Sequence, residues 1–158
     1  MQIHRIPQLR NPVAILAFNG WNDAGETATG VISHLMNCWA SKENLIAESS
    51  SEDYYDYQQI RPTVFVDNSR IRRLTWPSTK IFAVLTPHFD FDLVLVRGPE
   101  PSFRWPTFCN ELLDLFDDLE VNLVLTLGAL LADAPHTRRI AVSGSSPNPE
   151  LAKRFGFE

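Results

Sequence analysis

The chain has 158 residues, of which 44% are hydrophobic and 21% are charged, and its formal net charge is -5. This length suits one domain with a substantial core, so we expect a single domain over residues 1–158. The negative charge and the absence of a basic cluster argue against a nucleic-acid partner. No apolar run has membrane-spanning length and no secretory apolar region opens the chain, so we expect a cytoplasmic protein without a membrane contact.

The cysteines and histidines are not spaced as metal ligands. Cys38 and Cys109 fall on apolar faces of expected helices, which favours buried free thiols over a disulfide framework or a zinc site. His4, His34 and His88 are scattered and form no pair at ligand spacing. The sequence therefore predicts neither a metal site nor a cofactor.

The first strand and first helix are joined by a glycine-containing loop. Residues 13–18 form a continuous apolar run, typical of a strand that is covered on both faces in a parallel sheet. After the loop of residues 19–25, apolar side chains recur at helical spacing from Ala28 onward. Asp23 offers a side-chain N-cap and Glu26 follows three residues later, which is the spacing of a capping box. No phosphate-binding glycine motif is present, and these acids would repel a phosphate.

The middle and later parts of the chain predict further strands. Apolar segments between residues 63 and 86 are separated by turn and proline signals, which predicts a β-meander inserted between α/β units. Residues 92–97 and 121–127 are apolar runs that predict two more buried strands. Between them, Trp105 and the proline after it open a helix, because proline is favoured in a first helical turn.

The end of the chain carries shorter signals. Residues 140–142 are a candidate strand. Asn148 and Pro149 are placed as the cap and first residue of a short helix, and Gly156 is placed to end it.

Together these elements predict an α/β fold with a mostly parallel central sheet. In such a sheet the loops after the carboxyl ends of the strands share one edge, and ligands bind there. The loops in question are residues 19–25, 98–104 and 128–138. We therefore expect a ligand or partner edge that consists of Asn19, Gly20, Trp21, Asn22, Asp23, Gly25, Glu100, Ser102, Trp105, Asp133, His136 and Arg138. Its acids favour a protein partner, or a cationic or polar ligand, over a phosphate.

An enzyme is one hypothesis for this edge. Ser102 would be the nucleophile, His136 the base and Asp133 the orienting acid. However, Ser102 is not in a G-x-S-x-G sequence, and an Asp and a His three residues apart are common. Such residues on loops more often hydrogen-bond the scaffold, so these three are weak catalytic candidates and we assign no catalytic residue.

Several motifs occur in a fixed order along the chain: FNGWNDAG at residues 18–25, YD and RP between residues 55 and 62, RLTWP at residues 73–77, GPEPS at residues 98–102, and DAPHTR at residues 133–138. This order resembles the actinobacterial branch of the proteasome assembly chaperone family, in the group of the second chaperone, over residues 12–156. The resemblance implies a three-layer sandwich that is related in fold to purine nucleoside phosphorylases. It also implies that the chain corresponds to the N-terminal portion of a longer family domain, truncated at the C-terminus.

The same resemblance implies a function. It indicates a non-catalytic, protein-binding chaperone with proteasome subunits as partners, and a homo-oligomer, with a trimer as the expected form. The alternative is a small-molecule enzyme, a hydrolase or one similar to a carboxylate-amine ligase, that uses the loops after strands 13–18, 92–97 and 121–127. A ligand-binding sensor without turnover is a third hypothesis.

Overall fold

The computed structural model describes residues 1–39 and 43–157. Within these ranges the chain is a mixture of helices and strands. They are β1 (Gln2–Ile3), β2 (Val13–Asn19), a 3-10 turn (Ala24–Glu26), α1 (Thr27–Cys38), β3 (Glu43–Glu48), α2 (Ser51–Tyr54), β4 (Thr63–Val66), β5 (Arg72–Thr75), β6 (Lys80–Val84), β7 (Leu93–Pro99), α3 (Trp105–Asp118), β8 (Leu123–Leu127) and α4 (Pro149–Phe155). None of the helices in the described ranges has both the length and the apolar character that crossing a membrane requires.

The main sheet of the described chain has six strands in the order β1-β3-β6-β7-β2-β8. β2 runs parallel to both of its neighbours, β7 and β8, whereas the other neighbouring strands are antiparallel. The predicted α/β class is confirmed. The prediction of a mostly parallel sheet holds for β7, β2 and β8, but it is wrong for the other strands, which are antiparallel to their neighbours. The link between β6 and β7, residues 85–92, is too short for a crossover helix, so these two strands must run in opposite directions.

The meander predicted over residues 63–86 is divided between two sheets. β4 and β5 pair only with each other in the described chain, as a hairpin whose residues are exposed. β6 instead lies inside the main sheet between β3 and β7, where Ile81 and Val84 are fully buried. The local pattern does not separate these cases, because both segments favour strands and the partners of β6 are distant along the chain.

Helices cover both faces of the main sheet. Side chains alternate along β2, so that Ala14 and Leu16 face α3, while Ile15 and Ala17 face α1. The three-layer arrangement that the resemblance implies is therefore present. The buried face of α3 consists of Phe108, Leu112, Leu115 and Phe116.

Two predictions of burial are wrong. The predicted strand at residues 121–127 is β8, which lies at the edge of the sheet that the described residues form, so alternate side chains are exposed and Val124 is 43% exposed. Cys38 and Cys109 are free thiols, but both are exposed. Cys38 is the last residue of α1, where the helix leaves the sheet. Cys109 is the residue after Phe108, and since Phe108 is on the buried face of α3, Cys109 lies on the outer face.

The last part of the chain agrees only partly with its signals. Residues 140–142 form no strand, and the side chains of Ile140 and Val142 are exposed. Asn148 does cap α4, because its side-chain oxygen accepts hydrogen bonds from the backbone N–H groups of Glu150 and Leu151.

β7 passes very close to the start of β6 at Gly98. A Cβ at this position would lie 2.4 Å from Thr79 Cα and 2.7 Å from the Ser78 carbonyl oxygen, which is closer than real contacts allow. The Thr79 hydroxyl also donates a hydrogen bond of 2.9 Å to the Pro99 carbonyl. Glycine is therefore required here for the two backbones to approach each other.

A buried carboxylate organises the start of α1. Asp23 accepts hydrogen bonds from the backbone N–H groups of Ala28, at 2.8 Å, and Thr29, at 3.1 Å, and from the Thr29 hydroxyl. The predicted capping box is wrong. The helix α1 begins at Thr27, and its N-cap residue is Glu26, which has a left-handed φ of 53° and makes no side-chain capping hydrogen bond. Asp23 nevertheless accepts hydrogen bonds from free N–H groups of the first turn, although it lies three residues before the N-cap residue Glu26.

The folded state stabilises the ionised forms of two carboxylates, Asp23 and Asp92. Burial raises the pKa of Asp23, but hydrogen bonds from Thr29 and Ala28 outweigh it and hold this pKa below its ordinary value of 3.8. Asp92 is similar: burial raises its pKa, and the hydrogen bonds from Arg10 and from the backbone of Thr86 lower it overall. Both contributions to stability must therefore decrease in acid.

We expect Gly98→Ala to lower the free energy of unfolding by about 1–3 kcal/mol, because the added methyl group must displace backbone rather than a flexible side chain. Gly30→Ala is the matched control: apart from its chain neighbours and the adjacent backbone of α1, no atom lies within 4 Å of a Cβ at this helical position, so it should raise stability by about 1 kcal/mol. Urea unfolding of both variants checks this, and equal effects would contradict the close approach.

We expect Asp23→Asn to destabilise the protein by about 2 kcal/mol at neutral pH. Because the folded-state pKa lies below the ordinary 3.8, the stability supplied by the carboxylate is present above that value and is lost as pH falls through the folded-state pKa. The difference between wild type and variant should therefore shrink in acid. Urea unfolding across pH tests this. Asp53→Asn, which removes only a half-exposed pair with Arg104, should cost less than about 1 kcal/mol.

Candidate functional site

The loops after β2, β7 and β8 meet at the edge where these parallel strands end. The backbone N–H of Ala129 donates to the Asn22 carbonyl at 2.8 Å, and that of Ala24 donates to the Ala129 carbonyl at 3.0 Å. The N–H of Glu100 donates to the Asn19 carbonyl at 3.4 Å. The three predicted loops are thus connected through backbone hydrogen bonds.

The predicted edge residues in the first loop have different roles. Gly20 has a φ of 146° and Gly25 one of 64°, so both occupy backbone conformations that favour glycine. Gly20 also lies beneath the Glu100 side chain, since a Cβ on it would be 3.4 Å from a carboxylate oxygen. Trp21 projects outward and is 85% exposed. Trp105 is partly exposed at the start of α3.

Ser102 is held by the scaffold. Its hydroxyl accepts a hydrogen bond of 3.1 Å from the backbone N–H of Asp56. Its own N–H donates to the Tyr54 carbonyl at 2.7 Å. The Tyr54 hydroxyl in turn donates a hydrogen bond of 2.6 Å to the Glu111 carboxylate on α3. Burial, as the larger cause, and this hydrogen bond raise the pKa of Tyr54 to about 12. Ser102 therefore fastens the loop after β7 to α2.

Asp133, His136 and Arg138 lie on the exposed segment that follows β8. The backbone N–H of Arg138 donates to the Pro135 carbonyl at 2.9 Å, which closes a turn. Among the described residues, no hydrogen bond joins Ser102 to His136 or His136 to Asp133, and a triad needs both contacts. In the same part of the chain, no group of three His, Cys, Asp or Glu side chains is placed to hold a metal ion.

A cavity of about 640 Å³ opens beside the carboxyl ends of β2 and β7, on the α1 side of the sheet. The base of the β4–β5 hairpin forms its outer wall. A second cavity of about 360 Å³ adjoins it, and both are lined by Asn19, Ile60 and Pro99. Together they form one groove, and its narrower end is lined by Gly20, Glu100 and Ser102.

The charge of this groove differs from the expected acidic edge. Arg61, Lys80 and Arg97 line the larger cavity, and no described residue in its lining is an acid. Of the predicted acids, only Glu100 reaches the groove, in the smaller cavity. These basic residues were missed because they are far apart in the sequence. Arg97, however, is a charge at the end of the apolar run in β7, which is where sites form in parallel sheets.

The family profile that matches the chain is that of the PAC2 family, over residues 17–158. A PAC2 family protein from Streptomyces avermitilis is 48% identical, with a TM-score of 0.85, and the match covers 93% of this chain and 62% of that one. A proteasome-assembly chaperone homologue from Mycobacterium tuberculosis is 44% identical, with a TM-score of 0.83, over 92% of this chain and 61% of that one.

A protein of unknown function from Mycobacterium tuberculosis is 26% identical, with a TM-score of 0.82, over 98% of this chain and 54% of that one. No curated protein matches the chain significantly. The chain thus spans about three fifths of the length of its two more similar relatives. The matched residues include all three loops at the strand ends, and the chain belongs to the PAC2 family.

Proposed function

We propose that the chain is a chaperone-type protein that binds a protein partner and performs no chemistry of its own. The observation that supports this most directly is an apolar edge surface, which consists of Trp21, Leu130 and Leu131. Their side chains are 85%, 65% and 92% exposed. Large apolar side chains grouped at one exposed place are typical of protein interaction sites.

The backbone brings together the two loops that carry these residues. Hydrogen bonds join Asn22 and Ala24 to Ala129, so the loop that carries Trp21 lies beside the segment that carries Leu130 and Leu131. β8 leads directly into this surface, and it has β2 as its one strand neighbour in the described chain. A partner can therefore bury the apolar side chains and also pair with the free backbone groups of β8.

The partner class that we propose is the proteasome α-subunit. A relative that is 44% identical is a proteasome-assembly chaperone homologue, and the ordered motifs of the chain resemble that chaperone family. The engagement of the Ser102 hydroxyl by the Asp56 backbone favours a structural role for this serine, which supports binding without catalysis. We place this function in the cytoplasm, and we propose a homo-oligomer, with a trimer favoured.

We expect Leu131→Asp to weaken binding to purified proteasome α-subunits by about tenfold or more, because it replaces the most exposed apolar side chain of this surface with a charge. Biolayer interferometry with the immobilised chain measures this. Leu113→Asp makes the same change at a position on α3 that is 55% exposed, and it should leave binding unchanged. Absence of binding by the wild-type chain, or equal losses in both variants, would refute the proposal.

The oligomeric state gives a separate prediction. In size-exclusion chromatography with light scattering, we expect a mass three times that of the chain. If the apolar edge surface binds the partner, Leu131→Asp should leave this mass unchanged. A monomeric wild type would contradict the trimer, and a variant that dissociates would show that the surface is a subunit contact instead.

A further inference from the structure

Two basic side chains are held next to each other in the larger cavity. Lys80 on β6 and Arg97 on β7 are register partners, so their side chains lie on the same face of the sheet. An Arg97 guanidinium N–H donates a hydrogen bond of 2.8 Å to the Ser33 hydroxyl on α1, which keeps it on that face. Arg61 lines the same cavity from the segment before β4.

None of these three charges forms an ion pair within 4.0 Å in the described chain. Asp23 is a more distant counter-charge, because the charge of Arg97 is one of the causes that lower the pKa of that carboxyl. Glu48 on β3 is the other register partner of Lys80, so it lies on the same face of the sheet. Its carboxylate lies 3.5 Å from His4 Nε2 and accepts a hydrogen bond of 3.4 Å from the Ser78 hydroxyl, but Glu48 does not line the cavity. Like charges opposite each other on neighbouring strands are destabilising. A protein with a net charge of -5 thus places three basic side chains in the lining of one cavity.

The rest of the cavity wall is largely apolar. Trp76, Phe82 and Met36 contribute to it, and the amide of Asn19 adds a polar group. The ring of Trp76 is supported by Tyr57, with 4.8 Å between the ring centroids. A volume of about 640 Å³ lies within the usual range for small-molecule sites, which combine apolar walls with a few directed polar groups.

We propose that this cavity binds a small organic anion, that is, a carboxylate or phosphate group attached to a flat apolar body. Arg61, Lys80 and Arg97 bind the anionic group, and Trp76 and Phe82 contact the apolar body. This ligand site is separate from the apolar edge surface, and it does not depend on the partner proposed above.

Isothermal titration calorimetry of the 158-residue chain with four probes tests the site. Benzoate and phenyl phosphate represent the two anion classes, benzamide is the neutral counterpart, and inorganic phosphate lacks the apolar body. We expect benzoate or phenyl phosphate to bind at least about tenfold more tightly than benzamide and inorganic phosphate, and more weakly as salt increases. The tighter of the two identifies the anionic group. Binding by neither, or equal binding of benzamide, would overturn the proposal.

Charge-removing variants test which residues bind the probe. Lys80→Gln, Arg97→Gln and Arg61→Gln should each weaken binding of the tighter probe about tenfold or more. Arg72→Gln removes an exposed charge on the hairpin outside the cavity lining and should bind the probe as the wild type does. An unchanged affinity in all three cavity variants would place the binding elsewhere and refute the site.

The stability of the ligand-free protein provides an independent measurement. Lys80 has the like charge of Arg97 on one side and the opposite charge of Glu48 on the other, so Lys80→Gln should leave the melting temperature without ligand close to that of the wild type. An unchanged melting temperature together with weaker binding is what a ligand-binding role for Lys80 predicts. A markedly lower melting temperature would show that Lys80 has a structural role and would count against the proposal.

Discussion

The carboxylate of Asp23 accepts three hydrogen bonds at the start of α1, while the backbone beside it is bonded to Ala129 after β8. One residue therefore sets both the direction in which α1 leaves the sheet and the position of the segment after β8. A buried carboxylate without donors would be costly, so the loop can hold this shape only while all three donors point at Asp23. The apolar edge surface depends on this, because Trp21 and Leu130 flank the bridge that Asp23 stabilises.

Sequence periodicity predicts the parallel part of the fold well. The apolar runs that became β2 and β7 lack polar alternation because helices cover both of their faces. The direction of β6 could not be predicted, since the run that starts at Ile81 would suit either orientation. Pairing depends on where the chain goes next, and the link to β7 has no room for a helix. β8 has a similar apolar run, yet it lies at the edge of the sheet in the described chain, and no local pattern specifies strand order.

The candidate site could be predicted only in part, for a related reason. Loops that follow parallel strands were expected to meet, and they do so through the backbone of Asn22 and Asn19. The residues that give the groove its positive charge, Arg61, Lys80 and Arg97, are not among the predicted edge residues. Lys80 and Arg97 become neighbours through strand register, and a shift of one residue would move one of them to the opposite face. The acids of the loops were visible in the sequence, but the pairing that brings the bases together was not.

The close approach at Gly98 explains how two like charges can be held side by side. Gly98 follows Arg97, and the backbone that it contacts, at Thr79, precedes Lys80. The hydrogen bond from the Thr79 hydroxyl to the Pro99 carbonyl closes the same contact. The two strands therefore cannot separate at this point. Their backbones keep Lys80 and Arg97 on one face of the sheet, and the Ser33 hydroxyl holds the Arg97 guanidinium there. An anion that binds in the proposed site would therefore require little backbone reorganisation, which favours affinity.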